Sequence, residues 1–260
     1  MSQYNQHRHH QGDLKTPVRN RYYYGKLLDV FHLEMEQEYY NAKRLMLNRL
    51  VTGPGVVCGL DVELADNGDS VIVLPGVAID RCGREIIVPN RTEPLALPPR
   101  PPHPSDDEKE EYRQKKGEHG RRDECDDEYA HVLLCYHECE SDPAPVMAGD
   151  CETVTLCASG SIREQYKVEV RAGYASERRS NFPDVIEGRR IGYNAIVDYV
   201  TRACRPLPDD CCIPLANIRL RDSNKGWVPE ADIYVRPIVY TNRLLWDLIQ
   251  SLVNKGETGY

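Results

Sequence analysis

The residues best suited to metal binding or catalysis are the cysteines and histidines in the second half of the chain. The full sequence has ten cysteines and eight histidines. Cys135, His137 and Cys139 alternate along a short apolar segment, and alternate residues of a β-strand point to the same face. Such ligands suit tetrahedral Zn²⁺, with Cys151 or Cys157 as the fourth. The segment predicts a candidate structural zinc site formed by Cys135, His137, Cys139 and Cys151, and we expect no other cofactor.

Two other states of the cysteines remain open. Many could be plain buried thiols, because cysteine behaves as a small apolar side chain. Alternatively, small-loop disulfides could join Cys151 to Cys157, or Cys204 to either Cys211 or Cys212. No Cys-x-x-Cys motif occurs in the sequence, which argues against zinc-ribbon and thioredoxin interpretations.

Nucleophilic catalysis by a cysteine–histidine pair is the other chemistry that these residues could support. His137 has Cys135 and Cys139 at two residues on either side, an arrangement poorly suited to a third, orienting group. The sequence also lacks a Gly-x-Ser-x-Gly elbow, a phosphate-binding loop, a dinucleotide-binding glycine motif and a His-Glu-x-x-His motif. We therefore expect a protein that is not an enzyme and has no catalytic residue.

Charge and hydropathy limit the partners that the chain is expected to have. It has 33 Lys+Arg against 41 Asp+Glu, a net charge of −8, which argues against general binding of nucleic acid. The apolar runs are far shorter than the ~20 residues that cross a bilayer. The polar, His-rich N-terminus has no apolar signal region. We expect no nucleic-acid partner, no membrane span and a cytoplasmic protein.

Tyrosine usage indicates protein–protein contacts, since the chain has 16 Tyr and only 2 Phe. Tyrosine has a large apolar face and a polar tip, which suits surfaces that become buried on association. The candidate docking residues are Arg21, Tyr22, Tyr23, Tyr24 and Lys26, followed by Tyr39 and Tyr40 as second choices. The same basic, aromatic segment could stack on single-stranded nucleic acid, but the acidic chain favours a protein partner.

The first element that positions these residues is a long helix. Residues 1–18 are polar and are predicted to form a mobile tail. Apolar residues then recur at spacings of 3, 4, 4, 3, 4 and 4, which predicts one apolar helix face. This stripe consists of Leu28, Phe31, Met35, Tyr39, Ala42, Met46 and Leu50. Asp29 is the expected N-cap, and Thr52–Gly55 the expected stop.

An alternating segment at 56–64 follows the helix, and then a segment at 70–79 that is apolar on both faces and a third strand at 84–89. The short turns between them predict an antiparallel β-meander. Residues 19–92 are therefore expected to form one unit in which the helix packs on the meander. Residues 93–128 are rich in proline and then in charge, which predicts a linker loop.

Residues 129–260 are predicted to form a second, β-rich half. Its strands are expected near 130–136, 165–171, 212–220 and 231–235, with helices near 185–204 and 241–254. We expect the C-terminal helix to pack on the body, with projection to a neighbouring subunit as the alternative. The fold class is therefore α+β: a long N-terminal helix packed on an antiparallel β-meander, then a β-rich half with one internal and one C-terminal helix.

Several segments resemble a family of proteins associated with phage tails and phage-tail-like contractile injection systems, where they occur in baseplate or appendage components. The segments are Tyr23–Leu28, Glu36–Tyr39, Asn48–Leu50, Gly53–Leu60 and Pro75–Ile86, with weaker similarity at Glu164–Tyr166 and Cys212–Ala216. The resemblance covers mainly residues 20–90, and most of the cysteines after residue 125 lie outside it.

This resemblance implies a structural subunit of a tail-like particle, whose partners are other subunits of the particle and further copies of itself. It implies assembly in the cytoplasm and release within an extracellular particle. A cysteine-rich binding module unrelated to tails, stabilised by a metal or by disulfides, is the alternative.

Overall fold

A computed structural model describes most of the chain. The described residues are 16–65, 68–99, 129–145, 157–176, 186–187, 190–204, 206–220 and 230–257. Most of the predicted tail, and all of the charged part of the predicted linker, lie outside these ranges.

The N-terminal helix, α1 (Val30–Leu47), begins and ends where the sequence predicts. The Asp29 carboxylate caps it by accepting a hydrogen bond from the backbone N–H of His32 at 3.1 Å. The helix continues as one π-helical turn, Asn48–Thr52, and the chain then leaves it at Gly53. The predicted cap and stop are therefore confirmed.

The remaining elements are mostly short strands. In chain order they are β1 (Gly55–Gly59), β2 (Val62–Leu64), β3 (Ser70–Val73), β4 (Gly76–Ile79), β5 (Glu85–Val88), β6 (Leu95–Ala96), β7 (Tyr129–Pro145), β8 (Cys157–Ala172), β9 (Ile186–Glu187), β10 (Arg190–Ile191), helix α2 (Tyr193–Val200), β11 (Ile213–Arg219), β12 (Glu230–Asp232) and helix α3 (Asn242–Glu257). They form sheets with the strand orders β1-β4-β5, β2-β3-β6 and β12-β11-β7-β8, and a β9-β10 ribbon.

The first two predicted strands are each divided where the chain passes between the first and second sheets. Gly59 and Leu60 have φ angles of 65° and 60°, which turns the chain from β1 into β2. Leu60 N–H donates to Pro75 O at 3.1 Å, and Leu74 N–H donates to Asp61 O at 2.8 Å. A Cβ on Gly59 would lie 2.2 Å from Pro75 O, so glycine is required at this corner.

One cluster of buried apolar side chains joins the three sheets. Leu60, Val71 and Ile86 from the first half belong to the same cluster as Leu134 and Ile218 from the second. The third sheet therefore covers the meander, whereas no residue of α1 is buried. The α+β class is confirmed, but the apolar stripe of α1 remains exposed.

Two elements of the second half differ in extent from their prediction. The internal helix α2 spans 193–200 and not 185–204, because β9 and β10 precede it. Strand β7 extends beyond the predicted 130–136 to Pro145, since β8 pairs with it from Ala130–Ala172 to Pro145–Cys157. Beyond Tyr136 the two strands form an exposed ribbon, with Ser141 alone partly buried on its β7 side.

Candidate interaction surface

The predicted docking residues lie in a turn that directly precedes α1. Lys26 N–H donates to Tyr23 O at 3.1 Å across Tyr24 and Gly25. Gly25 has a φ of 82°, and a type II turn requires such a positive φ at its third position. Tyr24 is fully exposed, and Tyr22 and Tyr23 are each more than half exposed. This segment, residues 22–26, is called the aromatic turn below, and it presents its aromatic rings to solvent.

Side-chain hydrogen bonds fix this turn against α1. Tyr22 Oη donates to Glu36 Oε2, and this bond raises the pKa of Tyr22 because the phenolate could no longer donate it. Lys26 Nζ donates to Asn20 Oδ1, and also to Arg21 O at 3.1 Å. Lys26 thus braces the turn internally, whereas Arg21 remains exposed.

Tyr39 and Tyr40 are adjacent in the sequence and lie on different faces of α1. Their rings meet edge to face with centroids 5.3 Å apart, and Lys43 Nζ lies 5.4 Å from the centroid of Tyr39. Tyr40 lies one helical turn beyond Glu36, which accepts the hydrogen bond from Tyr22, and on the same face. The structure therefore places Tyr40 on the face of α1 that the aromatic turn contacts, and Tyr39 on the apolar stripe.

Helix α1 is attached to the β body at its C-terminal end. Asn48 Nδ2 donates to Gly83 O at 2.9 Å and to Glu85 Oε1 at 2.8 Å. Arg44 Nε lies 3.5 Å from Glu85 Oε2. No residue of α1 is buried: Phe31 and Met46 of the stripe are exposed, and Met35 and Tyr39 at its centre are half-buried.

Helix α3 has a second exposed apolar face, although we expected this helix to pack on the body. It begins where Thr241 Oγ1 accepts from the backbone N–H of Leu244 at 3.2 Å. Its exposed apolar side chains are Leu245, Trp246, Leu248, Ile249 and Leu252. A bilayer-spanning helix, long and apolar enough for that purpose, does not occur among the described residues.

The candidate zinc ligands are separated where the structure describes them. Cys135 forms a disulfide with Cys212, so its sulfur is not a thiolate. His137 and Cys139 are exposed further along β7, and Cys151 lies outside the described residues. In the described ranges, no group of three or more His, Cys, Asp or Glu side chains is arranged to hold a metal ion.

Two disulfides connect segments that are distant in the sequence. They are Cys82–Cys211 and Cys135–Cys212, with sequence separations of 129 and 77 residues. Cys204 is a free, exposed thiol, so the alternative in which it bonds to Cys211 or Cys212 does not hold. The reason is tertiary: Arg81 N–H donates to Cys211 O at 3.0 Å, which brings a turn of the first half beside this cysteine.

A buried carboxylate organises the turn between β4 and β5, beside the first disulfide. Asp80 has no exposed surface, and its Oδ1 accepts from Cys82 N at 2.8 Å and from Arg84 N at 2.9 Å. The Arg84 guanidinium lies 4.7 Å from the ring centroid of Tyr136. Burial and a hydrogen bond to Glu138 raise the pKa of Tyr136. These contacts hold the two halves of the body together.

An open depression of about 410 Å³ lies between the segment around β6 and strand β8. Arg91 pairs with Glu63 at 3.4 Å, and Thr92 Oγ1 accepts from Val73 N at 3.0 Å. Arg91 and Thr92 are therefore engaged in holding the segment, whereas Glu93 is exposed.

No protein-family model matches the chain, and no curated protein matches it. The aromatic turn, the stripe of α1 and the apolar face of α3 are the features from which a function can be argued.

Proposed function

We propose that this protein is a structural subunit of a phage-tail-like contractile injection particle, and that it acts by protein–protein assembly. The observation that carries the proposal is a contrast within the chain. The β body has a closed apolar core, whereas α1 and α3 keep large apolar side chains exposed. Contiguous exposed apolar surface is typical of interaction sites.

The attachment of α1 supports this interpretation. Helices in proteins gain most of their stability from packing an amphipathic face and not from helix propensity. Here the 18-residue helix is held mainly through Asn48 and Arg44 at one end. A partner on the stripe would supply the packing that the body does not.

The aromatic turn is the second contact surface. Tyr23 and Tyr24 are exposed beside Arg21, while Tyr22 and Lys26 hold the turn in place. Rigid aromatic side chains next to arginine are the residues most often found at the energetic centre of protein interfaces. We therefore propose that this turn docks on another subunit.

The resemblance over residues 20–90 is the support for a tail-like particle in particular. We propose cytoplasmic assembly followed by release within an extracellular particle. The two disulfides are compatible with the last step, because such bonds persist in oxidising surroundings.

The test is co-sedimentation of the full chain with sheath-bearing particles from a producing strain. Tyr23→Ala/Tyr24→Ala should reduce the particle-bound fraction about tenfold or more, the loss expected for two central aromatic contacts. The control is Tyr193→Ala/Tyr234→Ala, which removes two tyrosines that are 75% and 86% exposed elsewhere. A wild-type protein that never sediments with particles would overturn the proposal.

The two disulfides favour a second candidate, a disulfide-stabilised binding module unrelated to tails. Such a module would stay in the supernatant of the same experiment and would lose its fold when reduced. The two candidates therefore give opposite sedimentation results.

A further inference from the structure

We infer that α1 pairs antiparallel with α1 of a second copy of this chain. This pairing would be one contact of the assembly proposed above, and it rests on that function. The first observation is the period of the exposed stripe, whose spacings of 3, 4 and 4 repeat after 11 residues. An 11-residue period stays close to the natural turn of a helix, so the stripe runs almost straight along α1 and fits a second straight helix.

The stripe is also nearly symmetric about its midpoint, Tyr39. Reversing a copy of α1 about this point places Phe31 opposite Met46, Met35 opposite Ala42 and Tyr39 opposite itself. Long Met35 thereby meets small Ala42, which favours close packing. A surface that matches its own reversed copy is what a two-fold dimer requires.

Charge selects the antiparallel arrangement. Glu36 and Lys43 lie about 20° apart around the helix, on the same flank of the stripe. In the antiparallel pair, Glu36 of each copy faces Lys43 of the other, which gives two opposite-charge contacts against one like-charge contact between the two Glu38 side chains on the other flank. In a parallel pair, the flank with Glu36 would face the flank with Glu34 and Glu38, which brings like charges together.

The attachment of α1 to the body leaves room for this pair. Because each helix is held at its C-terminal end through Asn48, antiparallel pairing places the two β bodies at opposite ends. Each aromatic turn then comes near the π-helical turn of the other copy.

The first test measures the mass of the full-length protein by sedimentation equilibrium over a range of micromolar concentrations. Wild type should form a concentration-dependent dimer, and Met35→Lys should weaken it about tenfold or more by placing a charge on the stripe. Leu33→Lys is the matched control, because Leu33 is 52% exposed on the opposite face and should change nothing.

The second test separates the antiparallel pair from other arrangements. Glu36→Lys and Lys43→Glu should each weaken the dimer about fivefold, and Glu36→Lys/Lys43→Glu should restore it. Tyr22→Phe controls for the hydrogen bond that Glu36 loses. Failure of the double variant to restore the dimer would overturn the antiparallel pair.

Two further outcomes would overturn the self-pairing of α1 without overturning the proposed function. A dimer that survives Met35→Lys but is lost in Leu248→Lys would place α3, and not α1, in the contact. A wild-type monomer that still binds particles would remove the self-pairing and leave the proposed function standing. A dimer that never binds particles would leave the self-pairing standing and overturn the proposed function.

Discussion

Arg84 donates from Nε to the buried carboxylate of Asp80 at 2.7 Å, across the turn between β4 and β5. Replacing Asp80 with alanine would leave this group and two backbone N–H groups without their acceptor. We expect a loss of about 3 kcal/mol in the free energy of unfolding, measured by urea denaturation. The control is Asp209→Asn, at an exposed carboxylate, and a loss below about 1 kcal/mol for Asp80→Ala would contradict this role.

The disulfide between Cys82 and Cys211 closes a separation of 129 residues. Removing it with Cys82→Ser should lower the free energy of unfolding by about 2–4 kcal/mol, because the unfolded chain gains conformational freedom. Thermal unfolding with and without reductant measures the effect, and Cys204→Ser at a free, exposed thiol should have none. Ten alkylatable thiols in protein that was never reduced would show that the bond does not form.

Gly59 combines a φ of 65° with a close approach to Pro75 O. Gly59→Ala should therefore cost more than about 2 kcal/mol, because the added Cβ brings both backbone strain and a clash. Gly25→Ala has a similar φ of 82° but nothing within 4 Å of the added Cβ. It should cost only about 1 kcal/mol in the same chemical unfolding experiment. Equal losses in the two variants would show that the corner between the sheets relaxes freely.

Asp210 should contribute a small stability that depends on pH. Burial acts to raise the pKa of this carboxyl, but hydrogen bonds from Arg171 and from the backbone N–H of Cys212 outweigh it and hold the pKa below 3.8. Since the pKa is lower in the folded state, the stabilisation is complete above about pH 4 and is lost as the pH falls further.

Asp210→Asn should therefore lower the free energy of unfolding at neutral pH, but by less than about 1 kcal/mol because the side chain is half-exposed. The difference from wild type should vanish as the pH falls through the folded pKa. Urea titrations at several pH values measure it, and Arg171→Gln should reproduce the same trend. A difference that persists unchanged in acid would rule out this carboxyl as its source.

Local patterns made much of the fold predictable. The cap at Asp29 and the stop at Gly53 depend on residues within a few positions of each other, so both follow from sequence. The division of the first two predicted strands does not follow from sequence, because it depends on the close approach of Gly59 to Pro75 in the other predicted strand. The distribution of strands over three sheets likewise depends on contacts between the two halves of the chain.

The same division applies to the candidate site. The basic, aromatic segment predicts Arg21, Tyr23 and Tyr24 as docking residues, and their side chains are exposed in the structure. Sequence could not show that Lys26 braces the turn or that Tyr22 donates to Glu36 on α1. An amphipathic stripe was evident in α1, but periodicity does not say which surface covers a helix, and the third sheet already occupies the meander.

A helix of 18 residues is about 27 Å long, and α1 is anchored at the end farthest from Tyr24. Its attachment to the β body includes the contact of Asn48 with Gly83 and Glu85. A tilt of about 10° at this contact would displace the far end of the helix by about 5 Å. The contacts of Asn48 and Arg44 with the β body thus set the direction in which α1 presents the aromatic rings.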